Sequence, residues 1–308
     1  MSLARQILLH LSRSRWLAGQ MSRRSFSRRA VRRFMPGETM GEALTAARIQ
    51  GEAGLGVVLT QLGENLSSLD EAAAVRDHYL MLLEEIQKQR LIVEPSVKLT
   101  QLGLDLSENV CREHVLAVAA RAEATGTLLW IDMEDSSYVD RTLALYRAVK
   151  ERYRGVGVCL QSYLRRTPAD LESLLPLHPA IRLVKGAYAE PVEVAFAKKE
   201  ETDRAYLQIG EKLLEMAARK EGLAVFGTHD LELIKQLTET SRRVGAKDGD
   251  WQIAMLYGIK AADQLRLAKE GRQVNTLISY GRHWFPWYMR RLAERPANVM
   301  FVLKSLFG

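Results

Sequence analysis

The sequence predicts an α/β fold, a closed (β/α)8 barrel of the TIM type with extra helices ahead of it. Three observations carry this expectation. Short, β-rich apolar runs alternate strictly with amphipathic stretches from residue 55 onward, and strict alternation means parallel strands joined by helical crossovers. The runs number eight, the strand count of a closed barrel. No Gly-x-Gly-x-x-Gly turn follows any run, so an open dinucleotide-binding sheet lacks its signature.

The runs fall at 56–62, 95–99, 127–133, 155–161, 181–185, 223–228, 251–255 and 273–279. Each is mostly apolar, as a strand buried on both faces must be. Amphipathic helices fill 68–90, 107–125, 138–154, 202–220, 230–244 and 258–269. Ser68, with Glu71 three residues later, reads as a capping box. Asp230 opens the helix after the sixth strand and Gly245 sits at its stop. Leu59-Thr60-Gln61-Leu62-Gly63 recurs as Leu99-Thr100-Gln101-Leu102-Gly103, an echo that suits repeated units. Residues 1–54 read as a helical arm packed on the barrel of residues 55–308, one domain overall.

Charge is uneven along the chain. Residues 1–37 hold nine arginines and no acid, whereas the other 271 residues hold 35 basic and 37 acidic side chains. The barrel therefore lacks the basic field that a nucleic-acid role requires. The Arg-rich, Ser-rich, acid-poor start has two readings. As a transit peptide over residues 1–33 it implies a mitochondrial protein. As a retained arm, with Leu3, Ile7, Leu8, Leu11, Trp16 and Leu17 at roughly helical spacing, it lies on an anionic membrane. The retained arm is the reading adopted, and it puts the protein in the cytoplasm, peripheral at the inner face of the membrane. No window of 18 residues lacks a charge, so no spanning helix is expected. Cys111 and Cys159 have no metal-ligand spacing and form at most one bridge.

In a (β/α)8 barrel the site lies at the C-terminal ends of the strands. There the sequence places Lys98, Asp132, Gln161, Arg182, Lys185, Thr228 and His229. A lone lysine in an apolar strand needs a partner, and Asp132 on the next strand offers one. That pair alone reads equally as a structural ion pair or as part of a ligand site. With the other rim residues a ligand site is favoured, and the net basic rim suits an anion. No His-Glu-x-x-His or Cys/His cluster supports a metal, and no Gly-x-Ser-x-Gly an acyl nucleophile. A last helix runs from about Trp284 through Arg290 and Arg291 until Arg295-Pro296 stops it. Adjacent helical side chains point about 100° apart. Trp284, Trp287 and Tyr288 flank the two arginines, whose guanidinium forks suit a carboxylate. Glu294 lies where it can brace either one.

Taken together, these residues resemble the proline dehydrogenase family in its monofunctional bacterial form, an FAD-dependent proline oxidase. The resemblance rests on Phe34-Met35-Pro36-Gly37-Glu38, Leu62-Gly63-Glu64, Ser96-Val97-Lys98, Ile131-Asp132-Met133-Glu134, Arg182-Leu183-Val184-Lys185-Gly186-Ala187-Tyr188, Gly227-Thr228-His229 and Tyr288-Met289-Arg290-Arg291-Leu292-Ala293-Glu294-Arg295-Pro296. It implies a distorted barrel whose last helix caps the site. It also implies non-covalent FAD, oxidation of L-proline to Δ1-pyrroline-5-carboxylate, and electrons passed to a membrane quinone. By that analogy Arg290 and Arg291 grip the substrate carboxylate, Lys98 and Asp132 form an ion pair beneath its amine side, and Tyr188 touches it. Gln161, Arg182, Lys185, Gly186, Ala187, Tyr188, Lys199, Thr202, Thr228, His229, Leu256 and Glu294 surround the cofactor, with Arg182 the candidate to offset charge on the reduced ring. The Lys98–Asp132 pair is expected to keep the pocket neutral, so that the amine binds unprotonated.

The sequence departs from the family pattern at four places. Trp287 and Leu277 stand where tyrosines are usual, Ala254 where a flavin-contacting glutamine is usual, and Gln252 where a glutamate is usual. A missing ring-contact tyrosine leaves room for a ring substituent, as in 4-hydroxyproline. Two other classes remain open at this point. One is a cofactor-free lyase or aldolase with a Schiff base on Lys98 or Lys185. The other is a non-catalytic, membrane-associated carboxylate-binding protein.

Overall fold

The computed structural model describes residues 31–63 and 66–293, the last four as backbone alone. The elements run α1 (Met40–Glu52), β1 (Gly56–Gln61), α2 (Leu69–Lys88), β2 (Val93–Val97), α3 (Glu108–Ala124), β3 (Leu129–Ile131), α4 (Val139–Lys150), β4 (Val156–Gln161), α5 (Thr167–Leu174), β5 (Ala180–Val184), α6 (Lys199–Ala218), β6 (Leu223–Gly227), α7 (Leu231–Val244), β7 (Trp251–Leu256), α8 (Ala261–Lys269), β8 (Val274–Tyr280) and α9 (Trp284–Ala293). The strands close in chain order into a barrel. Every pairing is parallel, and β1 meets β8 with Val57 opposite Thr276. The (β/α)8 expectation is met.

Alternation along each strand sends successive side chains to opposite faces. One set packs against the helices in a large apolar cluster that includes Val57, Leu59, Val97, Ile131, Val158, Leu183 and Phe226. The other fills the barrel with Val58, Trp130, Ala180, Val225 and Ala254. Trp130 is the bulk of that inner layer. A Cβ on Gly157, in neighbouring β4, would lie 2.6 Å from the Trp130 ring, so glycine at 157 is what admits the indole. This layer floors the cleft above it.

Helix α1 contacts both β1 and β8 and buries Ala43, Leu44, Ala46 and Ala47. It occupies the outer wall where the barrel closes. Helix α9, after β8, brings Trp287 to the cleft at the mouth instead. Residues 31–38 pack against this last helix. The Phe34 and Tyr288 rings lie 6.2 Å apart, and Trp284 Nε1 donates to Glu38 Oε1 at 3.1 Å.

Several boundaries differ from expectation for local reasons. β2 begins at Val93 and ends at Val97, with Pro95 inside it opposite Leu59. Lys98 and Leu99 lie past its end because the chain turns into a 3-10 helix at Thr100–Leu102. The echoed pentapeptides therefore adopt different structures. Helix α5 was not anticipated; it is eight residues long with Pro168 in its first turn, too short to show a helical period. Helix α8 starts three residues late, because Gly258 (φ 72°) and Lys260 (φ 50°) are left-handed. Ser68 caps α2 through Glu71 N, but the Glu71 carboxylate reaches back to Ser67 N at 2.6 Å. The reciprocal capping box forms instead at Thr39 and Glu42.

Candidate active site

At the C-terminal ends of the strands a cleft of about 630 Å³ opens, within the range of small-molecule sites. Two-residue spacing on the strands supplies its walls. Thr60 comes from β1 and Leu62 from just past it, Cys159 and Gln161 from β4, Arg182 and Val184 from β5, and Leu277 and Ser279 from β8. Lys98 lies just past β2 and Asp132 just past β3. The Asp132 N–H still donates to Val97 O at 2.9 Å, which extends the ladder far enough to aim the carboxylate inward.

Asp132 is the hub of the floor. Lys98 Nζ lies 2.7 Å from its Oδ2 and Arg182 Nη2 2.5 Å from its Oδ1. Ser96 Oγ donates to Oδ1 at 2.7 Å and accepts from Arg182 Nη2 at 2.8 Å. Arg182 Nε donates to Cys159 Sγ at 2.9 Å, and the guanidinium stacks 4.9 Å over the Trp130 ring. Arg182 is 2% exposed. Burial works against the Asp132 carboxylate. The Lys98 and Arg182 charges and the bonds from Lys98 and Ser96 overcome it, and the pKa falls to about 2. Burial likewise opposes the charged Lys98 ammonium, but Asp132 outweighs it and the pKa rises. A lysine held charged is no Schiff-base nucleophile. Burial pushes the Cys159 thiol up to about 11, so it meets Arg182 as a neutral acceptor. Two cations share one carboxylate. Two further carboxylates face this group: Glu94, which accepts from Trp130 Nε1 at 2.7 Å, acts on Arg182, and Glu134 acts on Lys98.

A second ion cluster flanks the cleft. Lys185 lies 2.5 Å from Asp203 and 3.5 Å from Asp230. Lys199 pairs with the same two carboxylates. Of the residues singled out by sequence, the cleft brings together Lys98, Asp132, Gln161, Arg182, Lys185, Gly186, Ala187, Tyr188, Thr228, His229 and Leu256. His229 Nε2 accepts from Leu256 N at 2.9 Å, which ties two of them. Lys199 and Thr202 stand in the first turn of α6, outside the lining. The Arg290 and Arg291 side chains, and all of Glu294, lie outside the described residues. The divergent positions Ala254, Leu277 and Trp287 all line the cleft. Gln252 instead faces the inner layer and accepts from Asn275 Nδ2 at 2.7 Å.

Sequence reasoning missed Ser96, Cys159 and Asp203. Two signals were available: Ser96 is two residues before Lys98, hence on one face of the strand, and Asp203 is four residues after Lys199 on one helix.

Four buried polar atoms on lining residues have no partner among the described residues: Thr60 Oγ1, Arg182 Nη1, Gln161 Oε1 and Ser279 Oγ. Stranded polar atoms are rare in protein interiors. Here they are what a polar ligand would satisfy.

The sequence model of the family described as proline dehydrogenase matches residues 43–304. The chain is 35% identical over 304 residues to "Proline dehydrogenase 1" of Bacillus subtilis subsp. natto, covering 98% of each. It is 32% identical to "Proline dehydrogenase" of Deinococcus radiodurans, covering 89% of each. The fold is similar to the crystal structure of proline utilization A from Bdellovibrio bacteriovorus inactivated by N-propargylglycine. That match has a TM-score of 0.79 at 22% identity and covers 85% of this chain but 32% of the longer protein.

Proposed function

Because the chain belongs to the proline dehydrogenase family, we propose that its cleft binds FAD non-covalently with L-proline beside it, and that electrons leave for a membrane quinone. The reaction is oxidation of proline to Δ1-pyrroline-5-carboxylate, the first step of proline catabolism. The observation that carries the cofactor reading is the stranded donor on Arg182 and the stranded acceptor on Gln161, both in the cleft lining. A flavin ring offers carbonyl and nitrogen acceptors and an imide donor, so the residues present fit it. When bound, the flavin would supply the two-electron acceptor for the hydride on the proline ring carbon next to nitrogen.

The chain's own residues bind, orient and set charge. Lys98 and Arg182, both held as cations, disfavour a protonated amine in the cleft and favour the neutral amine that can form an imine. Arg182 also stabilises negative charge developing beside its free Nη1. Arg290 and Arg291, from the last helix, hold the substrate carboxylate. Two guanidinium groups on one carboxylate fix the ring's rotation, and such positioning lowers a barrier by several kcal/mol, roughly. Tyr188 closes the substrate side. Lys185, Gly186, Ala187, Thr228, His229 and Leu256 cradle the cofactor, with Lys199, Thr202 and Glu294 around its remainder. Residues 1–54 form the arm of a catalytic barrel of 55–308, and the basic start of that arm is the membrane contact. No helix among the described residues is long and apolar enough to cross a membrane.

The test is steady-state reduction of a soluble dye by the full-length protein with L-proline, together with analysis of what it releases on denaturation. Proline-dependent reduction and released FAD are expected. A protein that releases no flavin and reduces no dye with proline refutes the reading.

A further inference from the structure

The segment from Lys185 to Lys198 joins β5 to α6 and carries Gly186, Ala187 and Tyr188 onto the cleft. Its ends are tied to the chain after β4. Tyr163 N donates to Lys185 O at 2.9 Å, Arg165 N to Val194 O at 2.9 Å and Phe196 N to Tyr163 O at 2.8 Å. Gly186 has φ 117°, and a Cβ there would fall 2.2 Å from the Tyr163 ring. The start of the segment is thus pressed against that tyrosine.

Glu190 lies two residues beyond Tyr188 and is not part of the cleft lining. Its carboxylate crosses to the segment between β3 and α4. Oε1 accepts from Ser136 N at 2.7 Å and Oε2 from Ser136 Oγ at 2.5 Å. Tyr163 OH donates to Oε1 at 3.5 Å. Ser136 opens the 3-10 turn Ser136–Tyr138 that leads into α4. Backbone N–H groups at such a start have no intrahelical partner and favour a negative charge. Bonds from neutral donors to a carboxylate are among the stronger ones. The donor segment begins three residues after Met133 and four after Asp132, which both line the cleft. Glu190 therefore clamps the wall that bears Tyr188 to the wall that bears Asp132.

We infer that Glu190 is a positioning residue for the proline reaction: the two hydrogen bonds that it accepts from Ser136 hold the β5–α6 segment so that Tyr188 stands in the cleft wall near Lys98. This rests on the proposed role of Tyr188 at the substrate. The carboxylate itself touches neither substrate nor cofactor. Its loss frees the segment between its two backbone ties and weakens substrate binding, while the groups around the reacting bond stay in place.

The experiment compares the flavin-loaded full chain with Glu190→Gln, Glu190→Ala and Ser136→Ala, by limited digestion with a glutamate-specific protease and by steady-state kinetics. The protease reads the segment directly, through cleavage after the exposed Glu193 between the two backbone ties, with no reliance on activity. Glu190→Ala should speed that cleavage about tenfold and raise the KM for proline by a similar factor while kcat changes less than about threefold. Ser136→Ala keeps the backbone donor and should give a smaller effect on both, and Glu190→Gln should fall between. In a Tyr188→Ala background, Glu190→Ala should add nothing further to KM, because a residue acting through another is not additive with it. Unchanged cleavage overturns the clamp. Faster cleavage with unchanged KM, or full additivity with Tyr188→Ala, overturns its link to Tyr188. A wild-type protein that does not oxidise proline refutes the proposed function instead, and the cleavage rates still read the clamp.

Discussion

Arg182 reaches across β4 to place Nη2 2.5 Å from Asp132 Oδ1, joining β5 to β3 over the Cys159 thiol that accepts its Nε. This pair, with Lys98 on the other carboxylate oxygen, sets the electrostatics of the cleft. Removing one member leaves the others buried and uncompensated.

Asp132→Asn strands Lys98 and Arg182 as like charges in the floor. Breaking a buried pair this way costs about 3–5 kcal/mol, so urea unfolding at neutral pH should show a loss of that order. The pH dependence follows from a folded-state pKa of about 2 against an unfolded value of about 3.9. A depressed acid contributes stability above its unfolded pKa and loses it as the pH falls through its folded pKa. The gap between wild type and variant should be full above about pH 4 and narrow toward about pH 2. A gap that does not change with pH would show that the carboxylate's charge is not what matters.

Leu277 lines the cleft where the family commonly has a tyrosine. On the proposed reading, the apolar, shorter side chain leaves space beside the substrate ring. Relative to proline, trans-4-hydroxyproline should be accepted, and Leu277→Tyr should lower kcat/KM for the substituted ring about tenfold more than for proline. Turnover of proline equal to or better than hydroxyproline in both proteins, with no change in ratio, removes the idea.

Arg291→Met should lower kcat/KM for proline about a hundredfold or more with a thermal midpoint close to wild type. The clamp predicts this split, because the guanidinium acts on substrate rather than on the fold. Retained activity rejects the carboxylate clamp.

Deleting residues 1–32 removes the nine arginines except Arg33. Binding to anionic liposomes should fall, and more so at low salt, while activity with a soluble dye is kept. Liposome binding that does not change rejects the arm as the membrane contact.

The barrel was legible in the sequence because eight buried parallel strands leave eight apolar runs, and crossover helices leave amphipathic spacers. The cleft was legible in part, through the strand ends that carry Lys98, Asp132, Gln161, Arg182 and His229. What sequence reasoning missed is long-range pairing. Nothing local marks Cys159 as an acceptor for Arg182, or Glu190 as the partner of Ser136, 54 residues away. The echoed pentapeptide makes the same point. Leu59 to Gln61 are strand, while Thr100 to Leu102 turn, and Gln101 donates its amide to Gln61 O at 3.0 Å and Gly63 O at 2.6 Å. Identical local sequence takes different forms because its neighbours differ.

The most direct measurement is an anaerobic absorption titration of the purified full-length protein with L-proline. The account predicts visible flavin bands that bleach as proline is added, and bleaching that is lost in Arg182→Met. A colourless protein that does not take up added FAD, or flavin bands that proline leaves unchanged, would contradict it.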